Sequence, residues 1–457
     1  MRRLLLCVAL LAGCTVGPDY RRPDVPVPKE FSEAAGQGPA SLERWWTEFR
    51  DPLLDRLVAR AVEGNLDLKI AAARIREARA ARGIAASQGL PQVDASGGYA
   101  RSKRTLAFGQ PGTDSARSVF EAGFDASWEI DIFGGVRRDN EAALAQVQAA
   151  EESRGDVLVT LLADVARNYV ELRGTERQIQ ILDQTVETEK DTLALATARF
   201  GSGMGAELDV ARAEGLLAAT AAQRPALEVA RQQAAFRLGV LLGRDPQALL
   251  AELAAPGTLP PAPPEIPGVL PSELLTRRPD LRRNERELAA ATARIGVATA
   301  DLFPRFNILG SFGRRSDDLT ELGSSSQFWS AGVGFRWPIL AGGRIRSNIR
   351  VQEARQEQAL LQYEKAILLA LEEVENALSA HRRELIRRGA LRDSVAANRR
   401  ALDLAMERYT GGLESFLSVL DAQRSVYAAE DQLVQSERNT AVTLIALYKA
   451  LGGGWGS

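Results

Sequence analysis

Histidine is almost missing from this 457-residue chain: it has one, His381, and two cysteines, Cys7 and Cys14. A His/Cys metal cage and a Cys–His nucleophile pair are thereby excluded. Charge of one sign is also missing. Lys plus Arg number 57 against 59 Asp plus Glu, so the broad basic surface of a nucleic-acid binder is not available. Aromatics make up only 6% of the chain, yet 45% is hydrophobic and 25% charged. That is too apolar for disorder and too charged for a polytopic helical membrane protein. Beyond the first residues, no run of about 18 apolar residues occurs, so no membrane-crossing helix is expected. The shortage of acid, base, nucleophile and metal-ligand sets argues against catalysis. Gly201-Ser-Gly-Met-Gly205 looks like a phosphate loop only superficially. It follows a helical pattern and has no Lys-Ser/Thr after it, so it reads as a turn, and no catalytic or metal residue is assigned. Glu372-Glu373 and His381 lie in a charged helical stretch and read as solvated surface positions.

What is present begins with an address. Arg2 and Arg3 precede an apolar run, Leu4 to Gly13. That run is too short to span a bilayer, which takes roughly 20 residues, and it has the form of an export signal. Leu11-Ala12-Gly13-Cys14 looks like the lipobox of bacterial lipoproteins, which implies cleavage after residue 13 and a diacylglyceryl group on Cys14. Cys14 would then be the only cysteine left, so no internal disulfide is possible. Thr15 follows it rather than Asp, which by resemblance to enterobacterial lipoproteins implies sorting to the outer membrane.

The remainder is a duplication with a period of about 209 residues. Phe120-Glu-Ala-Gly with Trp128 matches Trp329-Ser-Ala-Gly with Trp337, and Arg199-Phe200 with Gly203 matches Arg408-Tyr409 with Gly412. Leu208-Asp209-Val210 matches Leu417-Ser418-Val419. The spacing predicts residues 14–50 as an extended N-terminal segment and 51–255 as the first repeat. A Pro-rich connector follows at 256–272, then the second repeat at 273–451 and a Gly-rich tail at 452–457. Each repeat reads helix, β-hairpin, very long helix, turn, helix. A first helix is expected over 53–89, long helices over 136–200 and 344–409, and second helices over 206–242 and 416–451. A long helix of this length measures roughly 100 Å and must pack lengthwise against others. Taken alone, the helices read as a coiled-coil rod.

The hairpins, at 92–132 and 304–338, change that reading. Phe120, Ala122, Phe124, Ala126, Trp128, Ile130 and Ile132 share one face, whereas Glu121, Asp125 and Glu129 share the other. Trp329, Ala331, Val333, Phe335 and Trp337 repeat the apolar face against Ser330, Gly332, Gly334 and Arg336. Such segments fit outer-membrane barrel strands, with Glu121, Asp125, Glu129 and Arg336 lining a lumen that the acids would bias towards cations. A soluble sandwich edge is the competing reading, but no other strand-like segment supplies an opposing sheet. Four strands cannot close a spanning barrel, whose smallest forms have about eight. An open edge in lipid costs several kcal/mol per unsatisfied group, so copies must pool their strands. Residues 104–117 and 313–326 would form the outer loops.

These residues resemble the TolC-like outer-membrane efflux factors, in their lipoprotein (OprM/NodT-type) branch. Cys14-Thr-Val-Gly-Pro-Asp-Tyr-Arg-Arg-Pro23, Trp45-Trp46 with Phe49 and Asp51-Pro52, Arg278-Pro-Asp-Leu-Arg282 with Glu285, and Arg408-Tyr409 with Val419-Leu-Asp-Ala-Gln423 carry the likeness. It implies a chain that is mainly α with a membrane β-barrel portion. The assembly would be a homotrimer, with a twelve-stranded β-barrel continuing into a periplasmic α-helical barrel. As exit duct of a tripartite pump it would work with a periplasmic membrane-fusion adaptor and an inner-membrane transporter of RND type. It would contact outer-membrane lipid and need no nucleic acid and no cofactor beyond the lipid on Cys14. The resemblance also implies a periplasmic aperture in which an aspartate is linked to a tyrosine, at Asp209 and Tyr409 here. Two acidic-ring positions fall on Ser418 and Asp421, so only one acid is kept. A basic linking position holds Glu414, a departure that puts that link in doubt, and Leu413 would form an apolar constriction. A duct for protein secretion and a non-spanning periplasmic scaffold are the alternatives.

Overall fold

The structure is a computed structural model that describes residues 15–32, 42–103, 116–263, 268, 270–324 and 326–455. The signal segment, Cys14 and most of the first predicted outer loop lie outside the described residues.

The first predicted helix is two. Helix α1 (Pro52–Gly64) starts where Asp51 accepts from the Leu53 and Leu54 amides and Pro52 occupies the first turn. Its stripe of Leu54, Leu57, Val58 and Ala61 is buried. Asn65 then ends it, because its side chain caps the next helix, α2 (Leu66–Ser87), at the Leu68 amide while donating to the Leu241 carbonyl. The N-terminal segment is not wholly extended either, since Trp45–Phe49 forms a 3-10 turn.

Strands β1 (Gln92–Lys103) and β2 (Ala116–Ile130) form the first hairpin. Helix α3 (Gly135–Gly201) runs 67 residues, followed by α4 (Glu207–Ala221) and α5 (Arg224–Leu241). The sequence predicts one helix for these last two. Pro225 divides them, because it has no amide for the Ala221 carbonyl and its ring crowds the preceding turn. After the connector come α6 (Pro271–Arg277), α7 (Pro279–Ala300), β3 (Arg305–Ser316) and β4 (Ser326–Arg336). Helix α8 (Arg344–Thr410) again has 67 residues, and α9 (Phe416–Ala450) is one unbroken helix of 35.

The four strands form one antiparallel sheet in the order β1-β2-β3-β4. The two repeats therefore meet at β2 and β3, with Phe124 opposite Phe312 and Ala126 opposite Gly310. Strand β2 stops two residues short of the predicted end at 132. Asp131 leaves the ladder to accept from the Val136 and Arg137 amides at the start of α3. Residues 313–316, predicted as loop, are the last rungs of β3.

The chain divides into two compact units that cut across the repeats. The first holds both hairpins with Ala73–Glu151, Arg283–Glu364 and the segment up to Asp24. Here the Trp128 indole donates to the Gly89 carbonyl and the Trp337 indole to the Leu302 carbonyl, each at 3.0 Å, so the duplication extends to side-chain anchors. Arg138 is buried and fastens the N-terminal segment through Val16 O, Gly17 O and Asp19. Gly17, at φ +89°, lies so close to Gly296 that a Cβ would sit 2.4 Å from its Cα.

The second unit holds Val25–Ala72, Glu152–Arg282 and Lys365–Ser457. Trp45 is fully buried and stacks on Tyr448 at 5.0 Å. Tyr169 donates to Asp51 at 2.6 Å. Arg278 donates to Asp280, to Glu373 and to the Ala450 carbonyl. Glu373 is thus a structural acceptor for a buried guanidinium rather than a freely solvated carboxylate. His381 also departs from its predicted surface position. It is 1% exposed, with Nδ1 3.1 Å from Thr443 Oγ1 on α9, and burial pushes its pKa down.

Candidate functional site

Both long helices end in the same way, because the same residues recur. After α3, Gly203 adopts φ +75°; its amide donates to Phe200 O and the Met204 amide reaches back to Arg199 O at 2.8 Å. After α8, Gly412 adopts φ +71°; its amide donates to Tyr409 O and the Leu413 amide reaches Arg408 O at 2.8 Å. This is the αL helix stop that glycine allows at least cost. It turns the chain into α4 and α9 and leaves Met204 and Leu413, 68% and 73% exposed, at equivalent positions.

Beneath these turns lies a small core of Ala196, Ala213, Leu216, Tyr409, Phe416, Val419 and Leu420. Tyr409 packs on Phe416 at 5.1 Å. Burial raises the Tyr409 pKa, Arg199 opposes this, and the Asp209 charge adds to it. Asp209 therefore lies within electrostatic reach of Tyr409, but no hydrogen bond joins the two among the described residues. The group that does bind this end of α8 is Arg199. Its Nη1 donates to Tyr409 O at 3.1 Å and lies 3.4 Å from Thr410 O, with the guanidinium 4.7 Å over the Tyr409 ring. A cation there gives Tyr409 O a second donor beside the Gly412 amide and opposes the negative end of the helix dipole. Arg199 and Arg408 occupy equivalent positions in the two repeats, and no local pattern marks one of them as crossing to the other repeat.

Glu414 is committed to its own turn. One carboxylate oxygen accepts from the Ser415 amide at 3.3 Å and from Ser418 Oγ at 2.9 Å, and the other lies 3.5 Å from Arg408 Nε. Hydrogen bonds from Ser418 and Ser415 hold its pKa down. Ser418 thus serves as a donor within the turn, and Asp421 lies 3.8 Å from Arg424.

On the sheet, the ladder gives the acidic face partners from neighbouring strands. Asp125 accepts from Ser96 Oγ at 2.7 Å, Glu121 pairs with Arg315 at 2.7 Å, and Glu129 lies 3.8 Å from Arg305. By register, Arg117, Arg305, Arg315 and Arg336 share this face with Asp94, Glu121, Asp125 and Glu129. The face carries both signs equally, which removes the ground for the predicted cation bias. On the opposite face, Trp329, Val333 and Phe335 are 76%, 74% and 69% exposed. No described helix is long and apolar enough to cross a membrane. Among the described residues no cluster of His, Cys, Asp and Glu is placed to hold a metal ion.

An exposed apolar sheet face, mixed-charge residues behind it and paired 67-residue helices are the features against which relatives can be compared. The family profile described as "Outer membrane efflux protein" matches residues 57–244 and 270–453. The chain belongs to the outer membrane efflux protein family. It is 35% identical over 457 residues to the pyoverdine export outer membrane protein OpmQ of Pseudomonas putida, covering 99% of this chain and 97% of that protein. It is 33% identical over 450 residues to nodulation protein T of Rhizobium leguminosarum bv. trifolii, covering 98% and 96%. The solved outer-membrane channel OprN superposes with a TM-score of 0.89 at 38% identity, covering 97% of this chain and all of that one. This efflux protein is accordingly an outer-membrane channel that extends into the periplasm. The secretion duct and the non-spanning scaffold are not favoured by these relatives.

Proposed function

We propose that three copies of this efflux protein join their sheets into a twelve-stranded barrel. Their helices continue it as a periplasmic tube, and the tip turns of α3–α4 and α8–α9 close its lower end. The observation that carries this reading is the sheet itself. Among the described residues it ends in two open edges, β1 and β4, and bears an exposed apolar face of tryptophan, valine and phenylalanine. Lipid would cover such a face, and only pairing with further strands relieves the edges. Glu121, Asp125, Glu129 and Arg336 then line the lumen.

The duct serves small-molecule efflux, passing compounds delivered by a periplasmic adaptor and an inner-membrane transporter of RND type. The names of its relatives support this class: they include proteins for pyoverdine export and toluene efflux. Cys14 carries the lipid anchor. The described segment that follows it is fastened by Arg138 through Val16 O and Asp19. Arg199, Asp209, Tyr409 and Leu413 form the resting closure.

Native mass spectrometry in mild detergent, paired with conductance in planar bilayers, tests the proposal. Trimers that form pores are expected. Material that stays single-copy and leaves the bilayer sealed overturns it.

A further inference from the structure

The second unit contains a cleft that the channel reading does not use. It measures about 240 Å³ and lies between α3, α8 and α9. Gln184, Thr188 and Arg399 are exposed at its rim, whereas Glu189 and Gln423 are only 3% and 4% exposed at its floor. Both floor residues have an oxygen with no hydrogen-bond partner among the described residues: Glu189 Oε2 and Gln423 Oε1.

The hydroxyl groups around the floor have used their protons within the protein. Thr220 on α4 gives its proton to Glu189 Oε1 at 3.0 Å, and Gln423 Nε2 donates to Thr192 Oγ1 at 2.6 Å. Thr185, Thr188 and Thr192 donate to carbonyls one turn back on α3. Tyr427 donates to Gln223, and Arg399 Nε to Glu430 at 2.7 Å. Two acceptors on the floor, one of them a carboxylate oxygen, are left without a donor among the described residues, and burying such oxygens is costly.

We propose that this cleft binds one primary ammonium group of a small alkylamine. Two of its N–H donors go to Glu189 Oε2 and Gln423 Oε1, and the third goes to Thr188 Oγ1 or to solvent at the rim. Leu402 and Val426 offer an apolar wall for the alkyl stem. A divalent metal ion fits less well, because calcium takes six or more oxygen ligands and usually several carboxylates. Glu430 is already matched by Arg399. A quaternary ammonium has no N–H to offer. Burial raises the Glu189 pKa, while Arg424 on α9 opposes the rise. Protons therefore compete with the amine from above the ordinary carboxylate range downwards. The other ionisable groups at the cleft are the Arg399–Glu430 pair, which spans α8 and α9, and Tyr427, whose pKa is pushed up to about 12. The proposal does not depend on the channel reading.

The test is calorimetric titration of the full-length protein in detergent with propylammonium, Nα-acetyl-lysinamide, tetramethylammonium and potassium chlorides. One equivalent of propylammonium per chain is expected at neutral pH, with affinity falling on mild acidification. Glu189→Gln and, as a second variant, Gln423→Met should each weaken it by at least about tenfold, the loss of a charge-assisted or a buried polar contact. Binding of the lysine derivative alone would still support an ammonium site and would assign it to a protein side chain. No saturable binding, equal binding of tetramethylammonium or potassium, or unchanged affinity in both variants would overturn the proposal. If neither variant folds, a flat pH profile in the unaltered protein does so.

Discussion

Replacing Arg199 by alanine isolates the strongest contact at the tips. The guanidinium makes one good charged hydrogen bond to Tyr409 O, a second marginal one to Thr410 O, and a cation–π contact with the Tyr409 ring. A charge-assisted bond contributes about 1.5–3 kcal/mol and the ring contact about 0.5–1. Arg199 is only half-buried, so solvent screening reduces the total to roughly 1–3 kcal/mol. Removing it should raise the population of the opened turn about 5- to 150-fold, at about 1.4 kcal/mol per factor of ten. Two readouts follow. Amide exchange at Gly411, Gly412 and Leu413 should accelerate by that factor, and open-channel dwell time in planar bilayers should lengthen. Arg199→Lys should fall between, because it keeps the charge near the helix end but loses the planar fork. If Arg199→Ala leaves both exchange and dwell time unchanged, the carbonyl contact does not hold the turn and the account of closure fails.

Asp209→Ala combined with Tyr409→Phe should lengthen open-channel dwell time by a smaller factor than Arg199→Ala, since only electrostatic reach joins them; an equal or larger effect would assign the latch to that pair. Reversal potential under a salt gradient should show little preference for either ion in the unaltered channel, because the polar face has matched charges. Arg315→Gln should then shift it towards cations, and a strong native cation preference would contradict the register argument. His381 is the sole histidine, so its titration can be isolated. Burial holds its folded-state pKa below 6.5, so an unfolded chain takes up a proton that the folded chain refuses. Stability should fall as pH drops below 6.5 towards that lower folded value and stay flat above it. His381→Gln should remove this slope in thermal unfolding, and persistence of the slope would place its source elsewhere.

Local chemistry was enough to read much of this molecule from its residues. The two glycine stops at Gly203 and Gly412, the proline-free stretches between them and the hairpins, and the strict alternation from Phe120 to Ile130 each report a backbone preference that acts within a few residues. The 209-residue echo then doubles every such signal. The predicted bounds of α3 and α8 consequently fall within one residue of the observed ones. Asp131 shows where this ends. By alternation it belongs to a strand, yet a helix start five residues on captures its carboxylate. Asn65 likewise sits in a helical pattern and instead caps the next helix.

What no local rule could supply is partnership across distance. The sequence determined that this protein has hairpins with one apolar face, helices too long for a compact domain, and glycine turns between them. Tertiary structure decided that β2 pairs with β3, which brings Arg315 onto Glu121 and balances a face that looked acidic. It also decided that Arg199 spans 210 positions to the end of α8, and that His381 turns inward. The reason is that periodicity records only which side of an element is apolar. Which side chain meets which is set by register and helix rotation, and the packing of the whole chain selects those.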